Sequence, residues 1–188
     1  MFEDHPKPLG TSHQPSAAML YTPEQRLRRD ETIWTPIQGA LAIFQFIVFV
    51  GSLYLVLRCL YTNEGEAWAR WSIILKTLTL YIIMITGSIW EKVVFGKYLF
   101  AKAFFWEDVF SMGVIALHTT YIFSLFFTFL TLQQQLLLIL SAYAAYVINA
   151  VQFILKLRAA RLQEAQMKAS KTFEFRKEQP SESKGAFV

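Results

Sequence analysis

Apolar residues fall along this chain in four blocks, Pro36 to Leu60, Trp71 to Trp90, Val109 to Leu132 and Leu136 to Leu155. Each block is long enough to cross a hydrocarbon layer of roughly 30 Å, which takes about 20 helical residues. With their flanks they predict four membrane helices over residues 36–60, 71–91, 106–131 and 135–157. Ahead of the first block, Thr22-Pro23-Glu24-Gln25 reads as a helix start, with threonine as the cap, proline in the first turn and glutamine placed to reach back. Thr35-Pro36-Ile37-Gln38 repeats that signal. The pair predicts a short helix lying at the membrane interface, a break at Trp34-Thr35, and then the first membrane helix. Residues 1–19, rich in proline and small polar side chains, are expected to be a disordered tail. Residues 20–171 then form a single transmembrane domain, its last helix running on through Lys156 to Lys171, and residues 172–188 form a tail that is unstructured from Gln179. The fold class expected is all-α, an integral membrane four-helix bundle with an amino-terminal interfacial helix and disordered tails.

Charge adds an orientation to this picture. In a soluble chain a net charge of +4 raises the question of a nucleic-acid partner, but here the distribution matters more than the sum. Arg26, Arg28 and Arg29 precede the first span, Lys92, Lys97 and Lys102 join the second to the third, and Lys156, Arg158, Arg161 and Lys168 follow the fourth. The alternate loops, Tyr61 to Arg70 and Thr131 to Gln135, are poor in basic residues. Lysine and arginine near span ends stay on the cytoplasmic side, so both termini are expected in the cytoplasm. All five tryptophans, Trp34, Trp68, Trp71, Trp90 and Trp106, fall at span ends, where a ring with one polar N–H prefers the headgroup level. The single cysteine, Cys59, cannot form an internal disulfide. No removable signal peptide is expected, because the first 33 residues lack an apolar core.

Polar residues inside the spans mark where chemistry is to be sought, since lipid offers them no partner. Gln38, Gln45 and Ser52 share one face of the first span, and Asn149, Gln152 and Lys156 share one face of the fourth. Glu107, Ser111 and His118 lie nearly in line on the third. By helical rise, Gln45, His118 and Asn149 each lie roughly 13–18 Å inside the nearest belt tryptophan or flanking arginine, in one layer near the midplane. Glu91, Glu107 and Asp108 are shallower, at the cytoplasmic ends of the second and third spans. Together the stripes predict a cavity between the helices that opens toward the cytoplasm. Each position also has a plainer reading. Glu91 with Lys92 can be an ordinary headgroup-level charge, and Glu107 with Asp108 can serve the dipole at a helix start. His118 can hydrogen-bond Asn149 or Gln45 across the bundle. Lys76 is close enough to Trp71 for its ammonium to snorkel outward. In favour of function, an acid set among aromatic rings holds its proton more tightly than an exposed one.

Four stretches carry a resemblance. They are Leu20-Tyr-Thr-Pro-Glu-Gln-Arg-Leu-Arg-Arg-Asp, Thr86-Gly-Ser-Ile-Trp-Glu-Lys-Val-Val-Phe-Gly, Ala103-Phe-Phe-Trp-Glu-Asp-Val-Phe-Ser-Met and Val147-Ile-Asn-Ala-Val-Gln-Phe-Ile-Leu-Lys-Leu-Arg-Ala-Ala-Arg-Leu. In this order, over about residues 20–163, the chain resembles the 3-vinyl bacteriochlorophyllide hydratase family. The resemblance implies a lyase of bacteriochlorophyll biosynthesis that adds water to the 3-vinyl group of chlorophyllide or a related chlorin, giving the 3-(1-hydroxyethyl) product. It implies a magnesium chlorin and water as substrates, surrounding membrane lipid, no nucleic-acid partner, and association with other pigment-synthesis enzymes in the cytoplasmic membrane of a photosynthetic bacterium. No cofactor is expected, and no metal site beyond a contact from His118 to the substrate's own magnesium. Protonating the terminal vinyl carbon leaves positive charge that the macrocycle can delocalise, so a general acid and a water-orienting base are needed. The candidates are Glu107 and Asp108, with Glu91 next. Adjacent helical residues point about 100° apart, so Glu107 and Asp108 cannot both face one small target, and Glu91 is the alternative partner. His118, Gln45, Asn149, Gln152 and Trp106 are the candidate substrate contacts, with Phe104, Phe105, Phe110 and Tyr121 as further stacking rings.

Three rival readings compete with this one. A four-helix transporter requires an ionisable residue deep in a span, whereas the acids lie at the edge. A bis-histidine cytochrome needs two histidines in the bundle, and His5 and His13 fall in the amino-terminal tail. A non-catalytic pigment carrier would use the same pocket without turnover.

Overall fold

A computed structural model describes residues 20–178, so the expectations for residues 1–19 and 179–188 lie outside the described residues. Five helices follow in order: α1 (Pro23–Glu31), α2 (Trp34–Thr62), α3 (Glu66–Phe95), α4 (Phe105–Phe127) and α5 (Leu132–Glu178). The last four are each long and apolar enough to cross a membrane. Most of the surface of these helices is apolar and outward facing, as at Ile43, Ile47, Ile85, Phe126 and Ile154. That distribution suits lipid, and the protein is an all-α four-helix membrane bundle with a short helix before it.

Local chemistry sets the helix ends. At α1 the backbone N–H of Gln25 donates to Thr22 Oγ1 at 3.2 Å and the N–H of Thr22 donates to Gln25 Oε1 at 3.0 Å, a reciprocal cap with Pro23 in the first turn. The second such signal is not used as a cap. The chain breaks at Thr32-Ile33, before Trp34-Thr35, and Thr35 lies inside α2. Its hydroxyl donates to the Arg29 carbonyl at 2.6 Å and accepts from Trp90 Nε1 at 2.9 Å, so it ties α1 to α3. Pro36 still falls in the first turn of α2, where no intrahelical N–H bond is lost. Asn63, at φ 56°, ends α2 in the left-handed region, and Gly65, at φ 78°, leads into α3. α5 starts at Leu132 because Thr131 and Gln134 form a further reciprocal cap, with 2.9 and 3.4 Å bonds.

α2 packs chiefly on α3 and α4 on α5, and contacts of α2 with α5 and α3 with α4 close the two hairpins into a bundle. The larger core lies between Phe49, Val56, Ile73, Tyr121, Ile139 and Tyr143. Within it Tyr143 Oη and Ser52 Oγ are 2.6 Å apart and Ser52 Oγ and Ser72 Oγ 2.8 Å apart, linking three helices through hydroxyls that lipid would leave unpaired. A smaller core of Tyr21, Val94, Phe104 and Ala160 sits at the end that bears α1 and the α3–α4 loop, the basic end of the bundle. There α5 runs on beyond the bundle, and its Glu164 accepts from Arg29 at 2.9 Å and lies 3.3 Å from Arg26, which holds α1 against it.

Lys76 departs from expectation. It does not snorkel outward but is fully buried, its ammonium 3.6 Å from the centre of the Tyr146 ring and 6.0 Å from that of Phe49. The reason is its face: Ile73, Lys76, Thr77 and Leu80 are all buried at helical spacing, so the side chain leaves α3 on the inward side.

Candidate active site

The three candidate acids converge at the basic end, each nearly enclosed: Glu91 is 5% exposed, Glu107 7% and Asp108 4%. Glu91 comes from the last turns of α3, and Glu107 and Asp108 come from the first turn of α4. Between them runs the α3–α4 loop, which turns back over its own helix ends. Gly96 ends α3 at φ 80° and Phe100 takes φ 58°, a left-handed position that a phenylalanine rarely adopts. This course aims two successive backbone N–H groups at the acids. Phe100 donates to Asp108 Oδ2 at 2.7 Å and Ala101 donates to Glu91 Oε2 at 3.3 Å.

The loop thereby holds the Glu91 and Asp108 carboxyl groups side by side, each on one of two successive backbone N–H groups. Two carboxylates so placed repel, and a proton held by one of them relieves that repulsion. Glu107, which points about a quarter-turn away, takes a different partner: Lys156 Nζ of α5 donates to Glu107 Oε2 at 2.7 Å. Glu107 and Asp108 thus take separate partners, with Glu91 beside Asp108 and Lys156 beside Glu107.

Aromatic rings wall this site. Phe104 is buried, stacks on Phe153 at 5.7 Å, meets Trp90 and Phe95 edge-on at 5.7 and 5.8 Å, and lies 5.1 Å from the Lys156 ammonium. Tyr21 stacks on Phe95 at 5.7 Å beneath the Arg29 guanidinium, and burial pushes its phenol above the ordinary range. Beside the acids opens a cavity of about 550 Å³ lined by Leu20, Gln25, Phe95, Lys97, Ala101, Lys102, Ala103 and Lys156.

The remaining candidates lie deeper or outside. One turn inward from the ion pair, Asn149 Nδ2 donates to Ser111 Oγ at 2.8 Å, while Asn149 Oδ1 and Gln152 Oε1 are buried without a protein partner among the described residues. Further in, His118 is fully buried, and its Nδ1 lies 2.8 Å from the Val114 carbonyl of its own helix, not against Asn149 or Gln45. Its Nε2 and both amide atoms of Gln45 have no protein partner among the described residues. Trp106 is 66% exposed on the outer face, away from the acids. The structure therefore joins Glu91, Glu107 and Asp108 into one site, sets Asn149 and Gln152 next to it, and places His118 and Gln45 in a separate layer. Sequence reasoning missed the backbone donors of Phe100 and Ala101, for which no residue type is a signal. It also missed Lys76, whose inward face is readable from the spacing of its neighbours.

Comparison with known proteins identifies the family of the chain. The sequence profile of the family described as 2-vinyl bacteriochlorophyllide hydratase matches residues 21–159. The chain belongs to that family. Among curated members of the hydratase family, one from Rhodobacter capsulatus is 61% identical over 151 residues, covering 80% of this chain and 88% of the relative. Another, from Cereibacter sphaeroides, is 64% identical over 143 residues, covering 76% of this chain and 89% of the relative. Both are named 2-vinyl bacteriochlorophyllide hydratase. No solved structure matches the chain at a significant level. The matched region contains every acid of the site and the loop that joins them.

Proposed function

We propose that the protein is a lyase that adds water to the 3-vinyl group of chlorophyllide or a related chlorin, with the Glu91–Asp108 pair as its proton donor and acceptor. The observation that carries this is the pairing itself: two enclosed carboxyl groups from different helices, held by successive N–H groups of one loop. A proton held by one of them is available to the terminal vinyl carbon. The new C–H bond takes the π electrons at that end and leaves the carbon attached to the ring positive, with its charge spread over the macrocycle. Glu107, held beside the pair by Lys156, supplies fixed negative charge near that cation. Water attacks the cationic carbon, forms the C–O bond and returns one proton to the pair, so each turnover adds one water and leaves the acids as they began. In this reading the acceptors of Asn149 and Gln152, unpartnered among the described residues, orient that water.

In this reading the site faces the cytoplasm, both termini lie on that side, and the domain of residues 20–171 sits in the cytoplasmic membrane of a photosynthetic bacterium. Association with other pigment-synthesis enzymes belongs to the same proposal. Phe95 and Trp90, partly exposed over the buried Phe104, lie where a flat pigment can lean as its vinyl arm reaches the acids. His118 lies roughly 16 Å beyond Glu107 by helical rise, so a ring whose vinyl group touches Asp108 does not bring its magnesium to His118 without a shift of the helices. We therefore give His118 and Gln45 no part in proton transfer, and Trp106 a place at the lipid boundary.

Purified protein in lipid nanodiscs, given a 3-vinyl chlorophyllide, should yield a product heavier by one water. Asp108→Asn and Glu91→Gln should each slow that turnover by about 10²–10⁴-fold, the usual worth of a general acid, while pigment binding persists. Full activity in both variants would remove the pair from the mechanism. One observation favours the transporter reading, namely the deeply buried Lys76, which is an ionisable residue of the kind transport needs. Pigment binding without product, combined with solute flux into liposomes that Lys76→Met abolishes, would replace the hydratase reading with that one.

A further inference from the structure

One wall of the α3–α4 loop faces the acids, and the other faces the 550 Å³ cavity. That volume lies within the roughly 300–1,000 Å³ typical of small-molecule sites. Its lining divides in two. Leu20, Phe95, Ala101 and Ala103 make an apolar floor, and Lys97, Lys102 and Lys156 bring positive charge, with no acidic residue in the lining among the described residues. Lys156 is already paired with Glu107. Lys97 and Lys102 are exposed, and among the described residues neither has a carboxylate within ion-pair distance. An apolar floor with two unneutralised ammonium groups fits an apolar molecule that carries an anionic arm. The cavity also shares two residues with the acid site: the Ala101 N–H holds Glu91 and the Lys156 ammonium holds Glu107.

We propose that this cavity receives the ionised carboxylate side chain of the substrate, which pairs with Lys97 and Lys102, so that the protein selects free-acid pigment over its ester. The inference rests on the hydratase reading. In a chlorin, the pyrrole ring bearing the 3-vinyl group and the ring bearing the propionate arm are neighbours. The two arms leave the same side of the macrocycle, so a molecule with its vinyl arm at Glu91 and Asp108 can extend its carboxylate toward the cavity that shares Ala101 and Lys156 with the acids. Esterification removes the charge and leaves two ammonium groups with nothing to meet. The phosphate of an anionic lipid offers a comparable charge, but a headgroup makes no use of a wall shared with a proton-donating pair.

The test uses full-length protein in nanodiscs of zwitterionic lipid, with a 3-vinyl chlorophyllide and its methyl ester as paired substrates. The double variant Lys97→Gln, Lys102→Gln should raise KM for the free acid about tenfold, the size expected of two partly exposed ion pairs acting together. It should leave kcat within about twofold and leave the constants for the ester unchanged, so ester turnover reports that the variant is folded. Lys97→Arg, Lys102→Arg should restore the preference for the acid, and added salt should erode it in the parent. An unchanged preference in the glutamine variant would overturn the proposal. So would an effect of the variant that appears only in discs containing anionic lipid and is equal for acid and ester, since the lysines would then serve headgroups. If neither substrate is turned over by the parent, the hydratase reading fails instead, and pigment fluorescence titrations with acid and ester still show whether the basic cavity reads the carboxylate.

Discussion

Breaking the Glu107–Lys156 pair should cost more than removing both of its members. The two atoms are 2.7 Å apart, with side-chain exposures of 9% for Glu107 and 26% for Lys156. At an effective dielectric constant near 20, that separation corresponds to a gross attraction of about 6 kcal/mol. Desolvation of both groups consumes most of it, which is why a buried pair adds little over an apolar replacement, while removing one partner of a fully buried pair costs about 3–5 kcal/mol. Lys156 keeps some contact with water, so the single changes Glu107→Gln and Lys156→Met should each cost less, about 2 kcal/mol. The double variant should cost about 1 kcal/mol, because no charge is stranded, leaving a coupling energy near 3 kcal/mol. The measurement is a double-mutant cycle of reversible unfolding in mixed micelles, titrated with denaturing detergent and followed by far-ultraviolet circular dichroism. Single changes that sum to the double within about 0.5 kcal/mol would mean the two side chains act independently, and α4 and α5 would not be joined by this pair.

Three other outcomes follow from the same structure. Lys76→Met should stabilise the bundle by about 1–2 kcal/mol in that unfolding assay, since burying an amine without a hydrogen-bond partner costs several kcal/mol and a ring contact returns only about 2; a loss of more than 1 kcal/mol would show that a partner holds it. Gly96→Ala places a side chain at φ 80°, should cost about 1 kcal/mol, and should lower turnover as well, because the loop that aims Phe100 and Ala101 at the acids starts there; unaltered turnover would separate the loop from the site. For orientation, Glu64→Cys and Lys97→Cys on a Cys59→Ser background should react oppositely with an impermeant maleimide applied to intact cells, the first labelled and the second protected, and the reverse pattern would invert the proposed topology.

What could be read from the sequence was what depends on short-range pattern. Continuous apolar blocks gave four helices, and Thr22 with Gln25 gave the start of α1, because a helix cap is decided by residues three apart. The same signal at Thr35 failed, since Trp90, fifty-five residues away, competes for that hydroxyl along with the Arg29 carbonyl. Candidate acids were legible because a carboxylate within an aromatic, apolar stretch is costly and therefore conspicuous. Which of them meet was only half legible: helical geometry separates Glu107 from Asp108, but the placing of Asp108 beside Glu91 depends on a loop that puts a phenylalanine at φ 58°, and no residue preference announces that. Lys76 shows the opposite case. Depth along the helix suggested an outward reach, whereas its companions Ile73, Thr77 and Leu80 mark the inward face, and face outranks depth when the neighbouring helix supplies Tyr146 and Phe49.

Under the proposed reaction, the position of the acids near the end of the bundle follows from proton balance. A pump must carry protons through the membrane and needs titratable groups along its whole depth. Hydration of a vinyl group consumes a proton at carbon and regains one from the attacking water, so a pair that starts with one shared proton finishes with it and requires no path across the bilayer. What the reaction does require is water, together with a place for a pigment whose body is apolar and whose arm is charged. Those needs are met together only at the boundary of the membrane. There the rings of Phe95, Phe104 and Trp90 border lipid depth, Asn149 and Gln152 offer acceptors to water, and Lys97 and Lys102 stand beyond them. Under that reaction Lys76 and His118, one layer deeper, are not steps on a proton route, and their replacement should be felt in the packing of α3 against α4 and α5 before it is felt in the rate.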